Sequence, residues 1–172
     1  METCWILVGM MGAGKSSVGR RLAEMSQREF VDTDLMLSNR LGRAIPHIFQ
    51  IYGEGAFRDH ETSILKSLEP GPMILSTGGG IVLREANWDE MRRLGTTIYL
   101  RAAPDVLIDR LRTSKKRRPL LEVENWEEQV RSILAKREPL YERAEVIVDL
   151  DTHDIQGAAD IVWHALVQRN LI

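Results

Sequence analysis

Short apolar runs alternate along the chain with longer stretches of helical period. Five runs, at residues 4–8, 30–32, 73–76, 97–100 and 146–149, are short enough and apolar enough to be strands buried in the middle of a parallel sheet. Between them the period lengthens. Residues 15–25 carry Val18, Leu22 and Met25 at spacings of four and three, and residues 126–137 repeat Trp126, Val130, Ile133 and Leu134 before Pro139 interrupts the pattern. Residues 35–41 read as a short helix, Pro104 opens another, and residues 155–167 form the last. This alternation predicts βαβ units: an α/β fold with helices on both faces of a parallel sheet. Residues 113–125 follow neither period, and an aperiodic stretch of that length inside a compact domain reads as a functional lid or as disorder. No repeat, low-complexity tract or linker divides the chain, so residues 1–172 are expected to form one domain.

Composition narrows the choice by exclusion. Of the residues, 44% are hydrophobic and 28% charged, an ordinary globular mix that excludes collagen-like, coiled-coil and disordered classes. Lysine and arginine number 23 against 25 aspartates and glutamates, so no overall field favours nucleic acid or an anionic membrane, and neither partner is expected. Any anion must be captured locally. The one cysteine, Cys4, cannot close an internal disulfide, and His47, His60, His153 and His164 show no ligand spacing. A reducing, cytoplasmic setting follows as the expectation. The apolar run that begins at Cys4 stops at Gly9, and the later one is broken by Asp160 and His164, so neither reads as a targeting or membrane segment. Nothing suggests an obligate interface, and a monomer is expected.

The strongest chemical signal is Gly9-Met10-Met11-Gly12-Ala13-Gly14-Lys15-Ser16, a G-x-x-x-x-G-K-S sequence between a predicted strand and a predicted helix. A phosphate chain needs converging backbone N–H groups, which glycines at unusual dihedrals can supply, and the following helix adds its unsatisfied donors and positive dipole end. Lys15 would reach the outer phosphates and Ser16 would ligate Mg²⁺. This motif points to ATP or GTP.

Such a loop also needs an acid near the metal, yet the run at 73–76 leads into Thr77 and glycine with no carboxylate. Phe30-Val31-Asp32-Thr33-Asp34 supplies two at the C-terminal edge of another strand, where ligands of open α/β sheets bind. One carboxylate of the pair fits the metal and the other the acceptor substrate; Asp34 equally fits the N-cap of the helix at 35–41. Gly78-Gly79-Gly80 follows the third strand, and three glycines so costly to order imply close backbone approach to something, or else a loose turn. Arg58 stands four residues after Glu54 and three before Glu61, which suits a solvated helical ladder as well as a site. Arg137 is ambiguous in the same way. Lys115-Lys116-Arg117-Arg118 gives the aperiodic segment a local basicity suited to a lid over phosphates or to an exposed charged loop.

Taken in order and spacing, these pieces resemble the shikimate kinase family of small-molecule kinases. The resemblance runs from the first strand to about Tyr141 and rests on the loop from Gly9 to Ser16, Phe30-x-Asp32-x-Asp34, Phe57-Arg58-x-x-Glu61, Gly78-Gly79-Gly80, Arg118-Pro119-Leu120-Leu121 and Lys136-Arg137-x-Pro139-Leu140-Tyr141. It implies transfer of the ATP γ-phosphoryl group to the 3-hydroxyl of shikimate, a step toward chorismate and the aromatic amino acids. The implied fold is a three-layer α/β/α P-loop domain with sheet order 2-3-1-4-5, a substrate-binding region near 33–61 and a lid near 113–125. ATP would be bound by Gly12, Ala13, Gly14, Lys15, Ser16, Ser17, Arg118 and, against the adenine, Arg110. Mg²⁺ would be held by Ser16 and Asp32. Shikimate would lie against Asp34, Arg58, Glu61, Gly79, Gly80 and Arg137, with Lys15, Asp34 and Arg118 as the catalytic groups. The segment from Val148 to His153 matches the family's adenine loop only loosely. Another small kinase, acting on gluconate or a nucleoside monophosphate, and a relative that has lost catalysis are the competing readings.

Overall fold

A computed structural model describes residues 3–151 and 154–172; Thr152 and His153, at the end of the loosely matching adenine segment, lie outside the described residues. Strand β1 (Cys4–Val8) leads into α1 (Lys15–Ser26), and β2 (Glu29–Asp32) into α2 (Thr33–Leu41) and the long α3 (Ile45–Ser67). Then come β3 (Met73–Ser76), a 3-10 turn at Ile81–Leu83, α4 (Glu85–Leu94), β4 (Gly95–Arg101), α5 (Pro104–Thr113), a second 3-10 turn at Pro119–Leu121, α6 (Trp126–Tyr141), β5 (Val146–Asp149) and α7 (Ile155–Gln168).

The strands form one sheet in the order β2-β3-β1-β4-β5, every pairing parallel, as the resemblance implies. Central β1 is buried at every position, which is why its sequence is continuously apolar rather than alternating. Helices α1 and α7 pack together, while α3, α4 and α6 gather round the first 3-10 turn, giving helical layers on both faces. The main core includes Trp5, Leu22, Trp88, Met91, Tyr99, Tyr141 and Val162. A separate small cluster of Leu37, Ile48, Phe57 and Ile64 holds α2 against α3.

Two local expectations are corrected, and one helix is added. The α6 helix runs through Pro139 to Tyr141, because the lost hydrogen bond is outweighed by tertiary anchoring of that last turn; Tyr141 is fully buried and stacks on Tyr99, ring centroids 5.1 Å apart. Asp32, not Asp34, caps α2, accepting from the N–H groups of Asp34 and Leu35 at 3.0 and 3.2 Å. Helix α4 went unread, although Trp88, Met91 and Leu94 recur every three residues. Within α3 the helix breaks at Gly53, whose φ of 77° favours glycine.

Candidate functional site

Parallel pairing brings the C-terminal ends of β1, β2 and β3 side by side; the chain leaves β1 and β3 into loops and β2 directly into α2, and all three exits face one cavity of about 850 Å³. After β1, Gly12 and Gly14 take φ of 82° and 93°, turning the loop back on itself and into α1. The N–H groups of Gly12, Gly14, Lys15, Ser16 and Ser17 meet no backbone acceptor among the described residues, whereas that of Ala13 donates to Met10 O at 3.1 Å. Five free donors at a helix N-terminus make an anion cradle. Lys15 closes it: its ammonium donates to Gly9 O and Met10 O at 2.7 and 3.0 Å, and burial pulls its pKa down from the usual lysine value to about 8.

The carboxylate missing from β3 is replaced by a hydroxyl. Ser16 Oγ donates to Asp32 Oδ2 at 2.8 Å and lies 3.2 Å from Ser76 Oγ, at the end of β3. Two hydroxyls and a carboxylate are hard oxygen donors suited to Mg²⁺, which usually takes one or two protein ligands and completes its shell with phosphate and water. Among the described residues no group of three His, Cys, Asp or Glu forms a closed metal cage. Asp34, freed from capping by Asp32, accepts no hydrogen bond from the described residues and lines the cavity. Burial raises its pKa, and the charge of Asp32 adds to the shift while Lys116, Lys15 and Arg58 oppose it.

Gly78 and Gly80 are needed for space, while Gly79 sits in ordinary van der Waals contact. A Cβ at Gly78 would lie 2.8 Å from Glu61 Oε1 and 3.0 Å from Asp34 Oδ1, and one at Gly80 would overlap the Arg58 guanidinium at 2.2 Å. Gly79 lies between the phosphate loop, with Met11 N 3.4 Å from its would-be Cβ, and Arg137 at 3.6 Å. The charged side chains can therefore lie flat on this backbone.

Arg58 is not part of a solvated ladder: it is 6% exposed and pairs with Glu61, itself 2% exposed, at 2.5 Å, and with Glu54 at 3.2 Å. Arg58 Nε and Glu61 Oε1 remain without partners. Burial pushes the Glu61 carboxyl up despite the arginine beside it. Arg137 is equally buried, at 6% exposed, yet no carboxylate of the described residues lies within ion-pair distance of it. A buried cation without an anion is costly, and here it faces the cavity.

Opposite these groups, residues 114–125 cross the cavity mouth with only the 3-10 turn at Pro119–Leu121 as regular structure. Lys116, Arg117 and Arg118 line the cavity; Arg118 donates to Ser114 Oγ and Lys116 O, at 3.1 and 2.9 Å, and burial lowers its pKa. Arg117 pairs with Glu122. Arg110 reaches Gly12 O and Ala13 O, both at 3.4 Å, and Leu150 O at 2.9 Å, which holds it at the outer rim of the phosphate loop. In all, eight basic side chains line the cavity against Asp32, Asp34 and Glu61. The neighbourhood can hold a polyphosphate and a second, carboxylated anion close together.

The residues read from the sequence as site candidates line this cavity, except Ala13, which is buried within the phosphate loop. Three contributors were not read as such. Ser76, at the end of the acid-free strand, lies 3.2 Å from Ser16 Oγ, Thr33 accepts from Gly78 N at 3.3 Å, and Tyr141 donates to Gly79 O at 2.6 Å. A usable signal existed for Tyr141 alone, four residues after Arg137 and so on the same helical face.

A family model described as shikimate kinase matches residues 11–166. The shikimate kinase of Thermodesulfovibrio yellowstonii is 40% identical over 147 residues, spanning 85% of this chain and 84% of that protein. The shikimate kinase of Aromatoleum aromaticum is 45% identical over 147 residues, spanning 84% and 83%. Among solved structures, shikimate kinase from Acinetobacter baumannii in complex with shikimate matches with a TM-score of 0.92 at 35% identity, over 99% of this chain and 96% of that one.

Proposed function

This chain belongs to the shikimate kinase family, and from that premise we propose how its own residues divide the transfer of the ATP γ-phosphoryl group to the 3-hydroxyl of shikimate. The observation that carries the reading is Arg137, a buried cation with no carboxylate partner among the described residues, facing a cavity that also holds the phosphate cradle and Asp34. A small acid fits that vacancy in charge better than a neutral sugar or a second nucleotide, because forked guanidinium groups pair with a planar carboxylate through parallel hydrogen bonds.

Arg58 and Arg137 hold the carboxylate of shikimate, with Glu61 fixing Arg58 from behind and Gly79 and Gly80 forming the wall. Asp34 receives a hydrogen bond from the attacking hydroxyl; burial makes it a better proton acceptor than an exposed aspartate. As the hydroxyl oxygen bonds to the γ-phosphorus, the bond from that phosphorus to the β,γ-bridging oxygen breaks, ADP leaves, and the proton passes to Asp34. Lys15 and the amides of Gly12, Gly14, Ser16 and Ser17 hold the outer phosphates, Arg118 covers the transferred group, and Ala13 shapes the loop. Arg110 borders the adenine side. Ser16 and Asp32 would hold Mg²⁺, which neutralises phosphate charge when bound. Such chemistry needs positioning and electrostatics rather than a covalent enzyme intermediate.

The whole chain acts as one kinase domain, with 33–61 the acceptor region and 113–125 the lid. Among the described residues no helix is long and apolar enough to cross a membrane. Cys4, buried and free of any disulfide, supports a reducing, cytoplasmic setting, and the near-balanced net charge of −2 supports a protein without a nucleic-acid or membrane partner, which we take to act as a monomer.

The test is coupled ADP release with Mg²⁺ and ATP, offering shikimate, gluconate and nucleoside monophosphates separately and weighing the product. Shikimate-dependent turnover with a product heavier by one phosphoryl group is expected. Preference for another acceptor overturns the clamp, and a folded protein that binds ATP but phosphorylates none of them overturns the enzyme reading.

A further inference from the structure

Tyr141 touches no part of the cavity, yet three of its contacts lead there. Its ring is fully buried against Tyr99, whose own ring edge lies 3.5 Å from where a Cβ of Gly9 would stand, beneath the start of the phosphate loop. Its hydroxyl donates to Gly79 O at 2.6 Å. Arg137, one turn earlier on α6, lies beside the same hydroxyl.

The carbonyl that Tyr141 holds belongs to the peptide joining Gly79 to Gly80. Peptides are planar, and none among the described residues is cis, so the Gly80 N–H points opposite to the Gly79 carbonyl. Tyr141 lies behind the loop and the cavity in front of it, which turns that N–H toward the cavity. The N–H groups of Gly79 and Gly80 both meet no acceptor among the described residues, whereas those on either side of the pair do: Gly78 N donates to Thr33 Oγ1 and Ile81 N to Gly78 O, at 3.3 and 3.1 Å. A glycine peptide with so little steric restraint would otherwise be free to flip.

We propose that Tyr141 is a positioning residue that locks the Gly79–Gly80 peptide so that the Gly80 amide is presented as a hydrogen-bond donor to the acceptor substrate. The role rests on the assignment of this cavity to shikimate. It deepens that assignment by placing the control of the glycine loop on α6, the helix that also carries Arg137. Since the amide grips the acceptor equally before and during transfer, its loss weakens binding more than turnover.

The test is Tyr141→Phe, which keeps the ring and the Tyr99 stack and deletes only the hydroxyl. The expected result is a shikimate KM and binary Kd raised about three- to tenfold, with kcat and the ATP KM changed less than about twofold. Val162→Ala, on the buried face of α7, serves as the control for simple loss of stability: it is expected to lower Tm without moving the shikimate KM. In the wild-type protein, shikimate should also shift the Gly80 amide proton resonance and slow its exchange, a readout that needs no variant to fold. Unchanged shikimate affinity in Tyr141→Phe, equal losses for both substrates that track Tm, or a Gly80 amide indifferent to shikimate would each overturn the positioning role. A wild-type protein that neither binds nor phosphorylates shikimate would instead overturn the substrate assignment itself.

Discussion

Arg58 and Arg137 have the same chemistry and the same burial, but opposite surroundings. Arg58 neutralises Glu61, so Arg58→Ala leaves a buried carboxylate unpaired and is expected to cost stability by about 3–5 kcal/mol along with substrate use. Arg137 neutralises nothing in the described residues, so Arg137→Ala should weaken shikimate use by about 2–5 kcal/mol while leaving the melting temperature equal or higher. Thermal melts beside steady-state kinetics separate the two, and a large stability loss in Arg137→Ala would show a hidden structural role. Lys15 offers a test by pH. Burial lowers its pKa to about 8, so in the free enzyme the ammonium loses its proton above that point and the phosphate cradle loses its charge. With shikimate saturating, kcat/KM for ATP is expected to fall above about pH 8, because that ratio reports the free enzyme. Bound phosphate favours the charged amine, so kcat should hold to higher pH; a flat kcat/KM up to pH of about 9.5 would remove Lys15 from phosphate capture.

At the scale of elements, residues 114–125 and α6 are opposites. The first has one 3-10 turn, mostly exposed side chains and a basic inner face, so little holds it in place without a ligand. With nucleotide and shikimate together, its amides are expected to gain hydrogen-exchange protection, and equal exchange with and without both ligands would count against closure. Helix α6 is fixed at its far end by Tyr141, which lets the chain carry Pro139 without ending the helix. That is why the sequence pattern, which stopped the helix at Arg137, read the boundary short. Asp32 shows the same limit: local spacing suits Asp34 to the cap as well as to the site, and only the direction of the chain leaving β2 gives the cap to Asp32 and leaves Asp34 open to the cavity.

For the whole molecule, net charge and local charge disagree. The chain totals −2, yet eight basic and three acidic side chains face one cavity. A field so concentrated should steer polyphosphates despite the overall balance, so raising ionic strength from about 0.02 to about 0.3 M is expected to slow nucleotide association several-fold. Stopped-flow rates independent of salt would show that the field is not felt at a distance. The strands, the phosphate loop and the sheet order implied by family resemblance were legible in the sequence, because burial on both faces and a nucleotide-binding turn each impose a local pattern. The triple glycine was legible as a close approach, but not what approaches. Only the tertiary structure decided that Gly80 makes room for Arg58, that Ser76 stands where a carboxylate was sought, and that Arg58 is paired where Arg137 is not. Those facts depend on residues far apart in the chain meeting at one sheet edge, and burial, pairing and pKa are properties of that meeting rather than of any residue's neighbours in sequence.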